Sequence, residues 1–179
     1  AAITETISES TTAPEQTSVP ETVEAQPAET EPPSSEALSV DASTPFGQHG
    51  ALHVENGKLT DADGNTVQLY GMSTHGIAWF PQYINYDSFR TLRDDWNTNC
   101  IRLAMYTAEY GGYCAGGDKE QLKQLVRDGV SYATELGMYV IVDWHILSDC
   151  DPNQNKDEAI AFFREMAEAF ADNDNVLYE

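Results

Sequence analysis

Apolar residues recur at helical spacing in three segments between residues 86 and 170. This periodicity predicts three amphipathic helices, each with one buried face. Asn85 or Asp87 is the predicted start of the first helix, and Asp118 starts the second. Asn155, with Glu158 three residues later, predicts a capping box for the third. The predicted buried faces are Phe89, Leu92 and Trp96, then Leu122, Leu125, Val126, Val130, Ala133 and Leu136, then Ile160, Phe163, Ala167 and Phe170.

Short apolar runs separate these helices and predict strands at 100–105, at 138–142 and from Val176 onward. A further run at 67–72 precedes the first helix, and residues 52–59 predict a hairpin around Asn56-Gly57. Strand and helix alternate about every 35–40 residues, which is typical of βα units. The alternation therefore favours a parallel sheet with helical crossovers.

Polar residues on these strands fall on one face, because side chains alternate along a strand. That face carries Gly71, Ser73 and His75, then Cys100, Arg102, Ala104 and Tyr106, then Ile141, Asp143 and His145. The opposite faces are apolar and suit covering helices. Polar groups toward the carboxyl ends of the strands favour a (β/α) barrel over an open doubly wound sheet, whose strands stay apolar on both faces for longer.

Composition changes sharply near Phe46. Residues 1–45 contain six of the eight prolines and no aromatic, Gly, Cys, Lys or Arg. Such a segment cannot bury enough apolar surface to offset its ordering entropy. We therefore expect an acidic, disordered Pro/Ser/Thr/Glu-rich linker over 1–45 and a folded domain over 46–179.

Charge and cysteine content limit the partners of the chain. A net charge of −21 argues against nucleic acid and anionic lipid, and no apolar run approaches the roughly 18 residues of a membrane span. Cys100 lies in a strand and is interpreted as a core thiol. Cys114 and Cys150 lie in loops, where a disulfide and two unpaired thiols are both open. A metal site is the poorest interpretation, since no closely spaced Cys/His set exists.

Several side chains near the strand ends are candidates for chemistry. Arg102 lies in mid-strand, where a guanidinium needs a carboxylate, either in a structural ion pair or to position a catalytic group. His75 and His145, together with Tyr106, favour a site over isolated structural residues. Trp79 follows in a loop, where it suits stacking on a sugar face or packing beneath the loop.

Four motifs resemble the first four barrel strands of family 5 glycoside hydrolases, in the bacterial endoglucanase (cellulase) subfamily. They are 69–80 (LYGMSTHGIAWF), 99–106 (NCIRLAMY), 137–147 (GMYVIVDWHIL) and 175–179 (NVLYE). They stand in the family's order, and the resemblance covers about residues 47–179. It implies a (β/α)8 TIM barrel that hydrolyses internal β-1,4-glucosidic bonds with retention, by means of two carboxyl groups.

The resemblance also implies residue roles. Arg102 would hydrogen-bond the nucleophile and His145 would line the cleavage subsite, so both support catalysis. His75, Trp79 and Tyr106 would contact the β-1,4-glucan. Glu179 points inward by parity and is interpreted as a structural partner of Arg102.

In the family, the acid/base and nucleophile glutamates lie beyond the position of Glu179. We therefore expect a barrel truncated after about three βα units, from a fragmentary gene record. We expect this chain to be inactive and poorly folded alone, and its parent to be a monomeric, cofactor-free, secreted or cell-surface bacterial enzyme. The alternatives are a mannanase or xyloglucanase of the same family, a non-catalytic carbohydrate-binding barrel, and a metal-dependent barrel hydrolase.

Overall fold

The computed structural model describes residues 41–179. The predicted linker, 1–45, therefore lies outside the described residues except for its last five. Helix α1 (Pro45–His49) starts one residue before the predicted domain boundary. Its N-cap is Thr44, whose hydroxyl accepts a hydrogen bond from the Gly47 N–H at 3.1 Å.

A hairpin and a four-stranded parallel sheet follow. The hairpin pairs β1 (His53–Glu55) with β2 (Lys58–Thr60). The predicted hairpin around Asn56-Gly57 is confirmed, and φ of 50° and 75° at these two residues suits a type I′ turn. The sheet has the order β3-β4-β5-β6, with strands β3 (Gly71–Ser73), β4 (Cys100–Tyr106), β5 (Tyr139–His145) and β6 (Val176–Tyr178).

Helices cover one face of this sheet. They are α2 (Tyr86–Trp96), α3 (Lys119–Glu135) and α4 (Lys156–Ala169), and each connects two successive parallel strands. The predicted alternation of strands and helices is therefore confirmed as three βα units and a fourth strand. No helix among residues 41–179 has the length and apolarity needed to cross a bilayer.

The core lies between the helices and the apolar strand face. Leu103, Met105, Val140 and Val142 are fully buried there against helix residues such as Phe162. The other strand face carries Arg102, Asp143 and His145, as parity predicted. The apolar face thus holds the units together and leaves the opposite face free for chemistry.

The amino-terminal segment closes the end of the sheet opposite those polar residues. The Phe46 N–H donates to the Gly137 carbonyl at 2.8 Å, and the Tyr139 hydroxyl donates to the Gly50 carbonyl at 2.8 Å. Gly137 has φ of 65°, and a Cβ there would come within 2.3 Å of Thr44. Glycine is therefore required at this helix end both for its backbone conformation and for close packing.

All three predicted helix starts are confirmed, with Asn85, Asp118 and Asn155 as the N-cap residues. The Asn85 side chain accepts from the Ser88 N–H at 2.8 Å, and Asp118 accepts from two N–H groups of α3. The capping box at Asn155 is wrong, because its side chain makes no cap hydrogen bond and donates instead to Asp149 Oδ2 at 3.4 Å.

Three details of burial and length also differ from the prediction. Trp96 is 68% exposed at the end of α2 and Ile160 is 46% exposed, while Phe162 and Met166 fill the core side of α4. Strand β3 begins only at Gly71, because the Asn99 side chain bonds the Gln68 carbonyl and the Tyr70 N–H just before it. The strand ends at Ser73, so His75 lies beyond it, in the loop that follows.

Candidate active site

Parallel register brings the polar residues of three strands together at the carboxyl edge of the sheet. Arg102 of β4 pairs with Ser73 of β3, and Tyr106 of β4 pairs with His145 of β5. Because Asp143 and His145 lie two residues apart on β5, both project on the same side as Arg102. The five predicted site residues form one continuous cluster: His75, Trp79, Arg102, Tyr106 and His145.

Arg102 is the charged centre of this cluster. Its Nε and Nη2 donate to the two oxygens of Glu179 at 2.8 and 3.1 Å, a bidentate arrangement. Nη1 donates to Ser73 Oγ at 3.2 Å. The predicted partnership of Arg102 with Glu179 is thus confirmed. Hydrogen bonding to Arg102 lowers the pKa of Glu179, so this carboxylate stays ionised.

Asp143 is a second carboxylate beside Arg102, and sequence reasoning gave it no role. It is only 2% exposed, and its Oδ2 lies 3.0 Å from Arg102 Nη2 and 2.9 Å from His145 Nδ1. Neither contact is aligned as a hydrogen bond, so that oxygen has no hydrogen-bond partner among the described residues. Burial raises the pKa of Asp143 to about 6, although Arg102 and His145 oppose the shift.

His145 is held between charged groups and an aromatic ring. Its Nδ1 lies 3.1 Å from Arg102 Nη2 as well as 2.9 Å from Asp143. The ring of Tyr106 stacks on it, with centroids 5.2 Å apart and planes 22° from parallel. These contacts fix the imidazole on both sides, and its Nε2 makes no hydrogen bond within residues 41–179.

Aromatic rings continue from Tyr106 into the loop after β3. His75 contacts Tyr106 edge-to-face at 5.5 Å and stacks on Trp79 at 5.3 Å. The Tyr106 hydroxyl lies 3.3 Å from His75 Nδ1. Gly76 allows this approach, because a Cβ there would lie 2.3 Å from the Tyr106 ring. The rings form an aromatic wall of His75, Trp79 and Tyr106. This wall lies beside a charged cluster of Arg102, Asp143, His145 and Glu179.

Trp79 is anchored at its indole nitrogen and is partly exposed, with one ring face stacked on His75. Its Nε1 donates to the Tyr110 carbonyl at 2.6 Å, while the residue remains 42% exposed. Tyr110 is itself 90% exposed. Sequence reasoning missed Tyr110, since no periodicity marks a single aromatic in a loop.

A hydrogen-bonded network joins the loops that follow β4 and β5. Thr107 donates to Asp149 Oδ2 at 2.8 Å, and the Ser148 N–H donates to Glu109 Oε1 at 2.9 Å. The Leu147 N–H also donates to Asp149, at 3.0 Å. Sequence reasoning missed these residues as well. The network gives the rim of the cluster a defined shape.

The cysteines lie outside the charged cluster and the aromatic wall. All three are free in the structure: Cys100 is buried, Cys114 half-buried and Cys150 exposed. Burial raises the pKa of the Cys100 thiol to about 12, in accord with a core role. Pairing of Cys114 with Cys150 stays a prediction. Within residues 41–179, no group of three or more His, Cys, Asp or Glu residues is arranged to hold a metal.

The arrangement combines two functions in one cleft. The aromatic wall offers ring faces to an apolar surface, and the charged cluster offers hydrogen bonds and a fixed positive charge. A sugar chain has both kinds of surface.

Comparison with known proteins places the chain among the cellulases. Residues 60–179 match the family model described as Cellulase (glycosyl hydrolase family 5). Endoglucanase A of Butyrivibrio fibrisolvens is 52% identical over 133 residues, which make up 73% of this chain and 31% of that relative. Endoglucanase N of Pectobacterium atrosepticum is 48% identical over 143 residues, or 80% and 31%. The chain thus spans about a third of the length of the curated relatives it matches.

Solved structures give the same family likeness. The catalytic domain of the Thermobifida fusca endoglucanase Cel5A has a TM-score of 0.71 and 42% identity, over 75% of this chain and 43% of that one. A variant of that domain was solved in complex with cellotetraose. The cellulase Cel5C_n has a TM-score of 0.74 and 38% identity, over 77% and 44%. The three βα units described above are therefore part of a (β/α)8 barrel.

Proposed function

The chain belongs to the cellulase family, glycosyl hydrolase family 5, and from this premise we propose that the protein carrying it is a retaining endo-β-1,4-glucanase. Its substrate would be cellulose or a related β-glucan, cut at internal bonds. The observation that carries the proposal is the juxtaposition of the aromatic wall with the charged cluster at the carboxyl ends of β4 and β5. In a (β/α)8 barrel this is the edge that holds the active site.

The aromatic wall supports a carbohydrate ligand. The faces of a β-linked glucose ring are apolar, while its hydroxyls point outward and need polar partners. Trp79 is exposed and fixed at its indole nitrogen, so it offers a stacking surface that does not have to be ordered on binding. A glucan is uncharged, and a chain of net charge −21 does not repel it.

The charged cluster supports hydrolysis rather than binding alone. Retention of configuration uses two carboxyl groups about 5–5.5 Å apart, one as nucleophile and one as acid/base. We place both on segments that follow Glu179 in the family pattern. Arg102 would hydrogen-bond the nucleophile and hold it ionised, and His145 would contact the sugar at the bond that is cut. His75, Trp79 and Tyr106 would bind neighbouring glucose units.

The proposal also covers the cellular location of the protein and the activity of a polypeptide of these 179 residues. The acidic, proline-rich segment before the barrel is similar in composition to linkers of secreted cellulases, so we place the protein outside the bacterial cell, as a monomer without a cofactor. A polypeptide of these 179 residues would lack both catalytic carboxyl groups and would not turn over.

The test is a substrate panel with the full-length gene product. Carboxymethylcellulose, xyloglucan and mannan are each followed by viscosity and by reducing-end release. We expect viscosity to fall faster than reducing ends appear on carboxymethylcellulose, as internal cleavage requires. Arg102→Ala should lower this turnover by roughly 100-fold or more. Arg90→Ala is the matched control, because Arg90 is 52% exposed on α2, where it pairs with surface Asp87 and lies over the Tyr86 ring.

Other outcomes would identify the alternatives. Cleavage of mannan or xyloglucan alone would reassign the substrate within the family. If the folded protein binds cellulose but does not hydrolyse any of the substrates, the proposed enzymatic activity is contradicted and a carbohydrate-binding barrel is favoured. Loss of activity on chelation, restored by a metal, would favour a metal-dependent hydrolase.

A further inference from the structure

The indole of Trp79 ties the aromatic wall to a second loop. Its Nε1 donates to the backbone carbonyl of Tyr110 at 2.6 Å. Tyr110 lies in the loop after β4, four residues beyond Tyr106 of the aromatic wall. The loops that follow β3 and β4 are therefore joined at Trp79, and Tyr110 is the residue at which they meet.

The side chain of Tyr110 is left almost entirely in solvent. The residue is 90% exposed, the highest value among the exposed large apolar residues of 41–179. A single exposed aromatic is ordinary on a protein surface and needs no explanation by itself. The position of this one is not ordinary, because its own backbone holds the tryptophan to which we assign glucose stacking.

Hydrogen bonds hold the loop on both sides of Tyr110. Before it, the Glu109 carboxylate accepts from the Ser148 N–H at 2.9 Å. After it, the Gly112 N–H donates to the Glu109 carbonyl at 2.7 Å, and Gly111 has φ of 71°, a left-handed conformation that favours glycine. The backbone of Tyr110 is therefore fixed without a ligand, so a ligand would not have to order it.

The chemistry that Tyr110 presents suits an uncharged sugar. Its ring offers an apolar face for stacking, its hydroxyl can donate or accept a hydrogen bond, and binding orders only two side-chain torsions. The neighbouring carboxylate of Glu109 is engaged by the Ser148 N–H from the loop after β5. A glucose unit has the matching combination of apolar ring faces and outward hydroxyls.

We propose that Tyr110 is a substrate-binding residue that adds a glucose-binding position beyond Trp79, so that the cleft selects for longer β-1,4-glucan chains. This inference rests on the proposed function, because it extends the same cleft. The ring contacts of the site run from His145 to Trp79, and the Trp79 indole continues them to the Tyr110 carbonyl. A glucan that fills the positions at His145 and Trp79 reaches Tyr110 only with a further glucose unit.

The test is equilibrium binding of cello-oligosaccharides of increasing length. Full-length protein whose acid/base residue has been replaced is titrated with cellobiose to cellohexaose by calorimetry, with and without Tyr110→Ala. This substitution removes the ring but keeps the backbone carbonyl that holds Trp79. We expect Kd to change less than about twofold for the two shortest ligands and to rise roughly 3- to 10-fold for cellopentaose and cellohexaose, as the loss of one stacking contact predicts. Equal Kd values at every length would overturn the inference, and so would the same rise at every length.

Two matched variants separate stacking from other effects. Tyr110→Phe keeps the ring and should bind cellohexaose within about twofold of the parent protein. Tyr83→Ala is the control, because Tyr83 is 60% exposed but lies beside Phe80, at the groove between β3 and α2. We expect no change in Kd for this control at any length. A loss in Tyr83→Ala as large as that in Tyr110→Ala would contradict the proposed path of the glucan.

Turnover by the active full-length protein distinguishes failure of this inference from failure of the proposed function. For Tyr110→Ala we expect kcat/KM to fall roughly 3- to 10-fold on cellohexaose, through KM, and to stay unchanged on the shortest oligosaccharide that is cleaved. Cleavage without this dependence on length would refute the role of Tyr110 and leave the proposed function intact. If the wild type neither binds nor cleaves cello-oligosaccharides, the proposed function is refuted and this inference with it.

Discussion

The buried carboxylate of Asp143 should make the folded state less stable as pH rises. Its pKa is raised from 3.8 to about 6, chiefly by burial. The folded protein therefore holds this proton more tightly than the unfolded chain does, and its stability falls as pH increases from about 4 to about 6. A shift of about two pKa units corresponds to roughly 3 kcal/mol. Asp143→Asn removes this titration.

The comparison is made by urea denaturation of the full-length wild type and Asp143→Asn between pH 4 and pH 8. We expect nearly equal free energies of unfolding at pH 4 and a gain of up to about 3 kcal/mol for the variant at pH 8. A variant that is equally or less stable at every pH would refute this reasoning, because Arg102 and His145 would then compensate fully for the burial.

Asp61→Asn should show the opposite pH dependence. Burial acts to raise the pKa of Asp61, but it is outweighed by hydrogen bonds from Asn65, from His49 and from the Asp63 N–H, so the pKa is lowered. The stabilising effect of this carboxylate is therefore present above pH 4 and lost as pH falls. The free energy of unfolding of the variant should be lower than that of the wild type at pH 8, and the two values should converge at acidic pH.

Four further predictions concern binding, activity, packing and thiols. Trp79→Ala should raise KM for cellotetraose about tenfold, while Trp79→Phe should lose less, because the stacking face is worth roughly 1–1.5 kcal/mol; equal KM values would remove Trp79 from the cleft. The 179-residue polypeptide alone should release no reducing ends from carboxymethylcellulose, and measurable turnover would contradict the placement of both catalytic carboxyl groups beyond it. Phe162→Ala should lower the free energy of unfolding by about 3–5 kcal/mol, because Phe162 is fully buried against Tyr113 and Trp144; a loss below about 1 kcal/mol would contradict this packing. Under reducing native conditions maleimide should modify Cys150 first and Cys100 last, and protection of Cys114 and Cys150 that dithiothreitol reverses would establish their pairing.

Strand parity predicted the most important feature of the site from sequence alone. Alternation placed Arg102 and His145 on one face, and the parallel register then brought them into contact. The helix starts at Asn85 and Asp118 could also be predicted from the sequence, because an N-cap depends only on one side chain and the next few backbone N–H groups. Local rules of this kind need no knowledge of the tertiary fold.

The buried face of α4 and the length of β3 depend on tertiary contacts, so the sequence alone did not predict them. In α4 two apolar spacings are available, and Phe162 is selected over Ile160 because Tyr113 and Trp144 fill the space beneath it. Strand β3 is short because a distant side chain, Asn99, takes the backbone groups before it.

The contacts of Asp143 could not be predicted either, although strand parity placed it on the polar face. The chemistry of a buried carboxylate depends on distances to charged neighbours from another strand. Tyr110 was missed for a similar reason, because its contact with Trp79 joins two loops through a backbone carbonyl.

The most direct test of the cleft is a crystal structure of the full-length protein with cellotetraose, in a variant whose acid/base residue has been replaced. We predict a glucose ring stacked on Trp79, with the glucan chain running past His75 and Tyr106 and a sugar hydroxyl hydrogen-bonded to His145 Nε2. Cellotetraose bound away from the aromatic wall, for example in the groove between β3 and α2 lined by Met72, Phe80 and Trp96, would contradict the account.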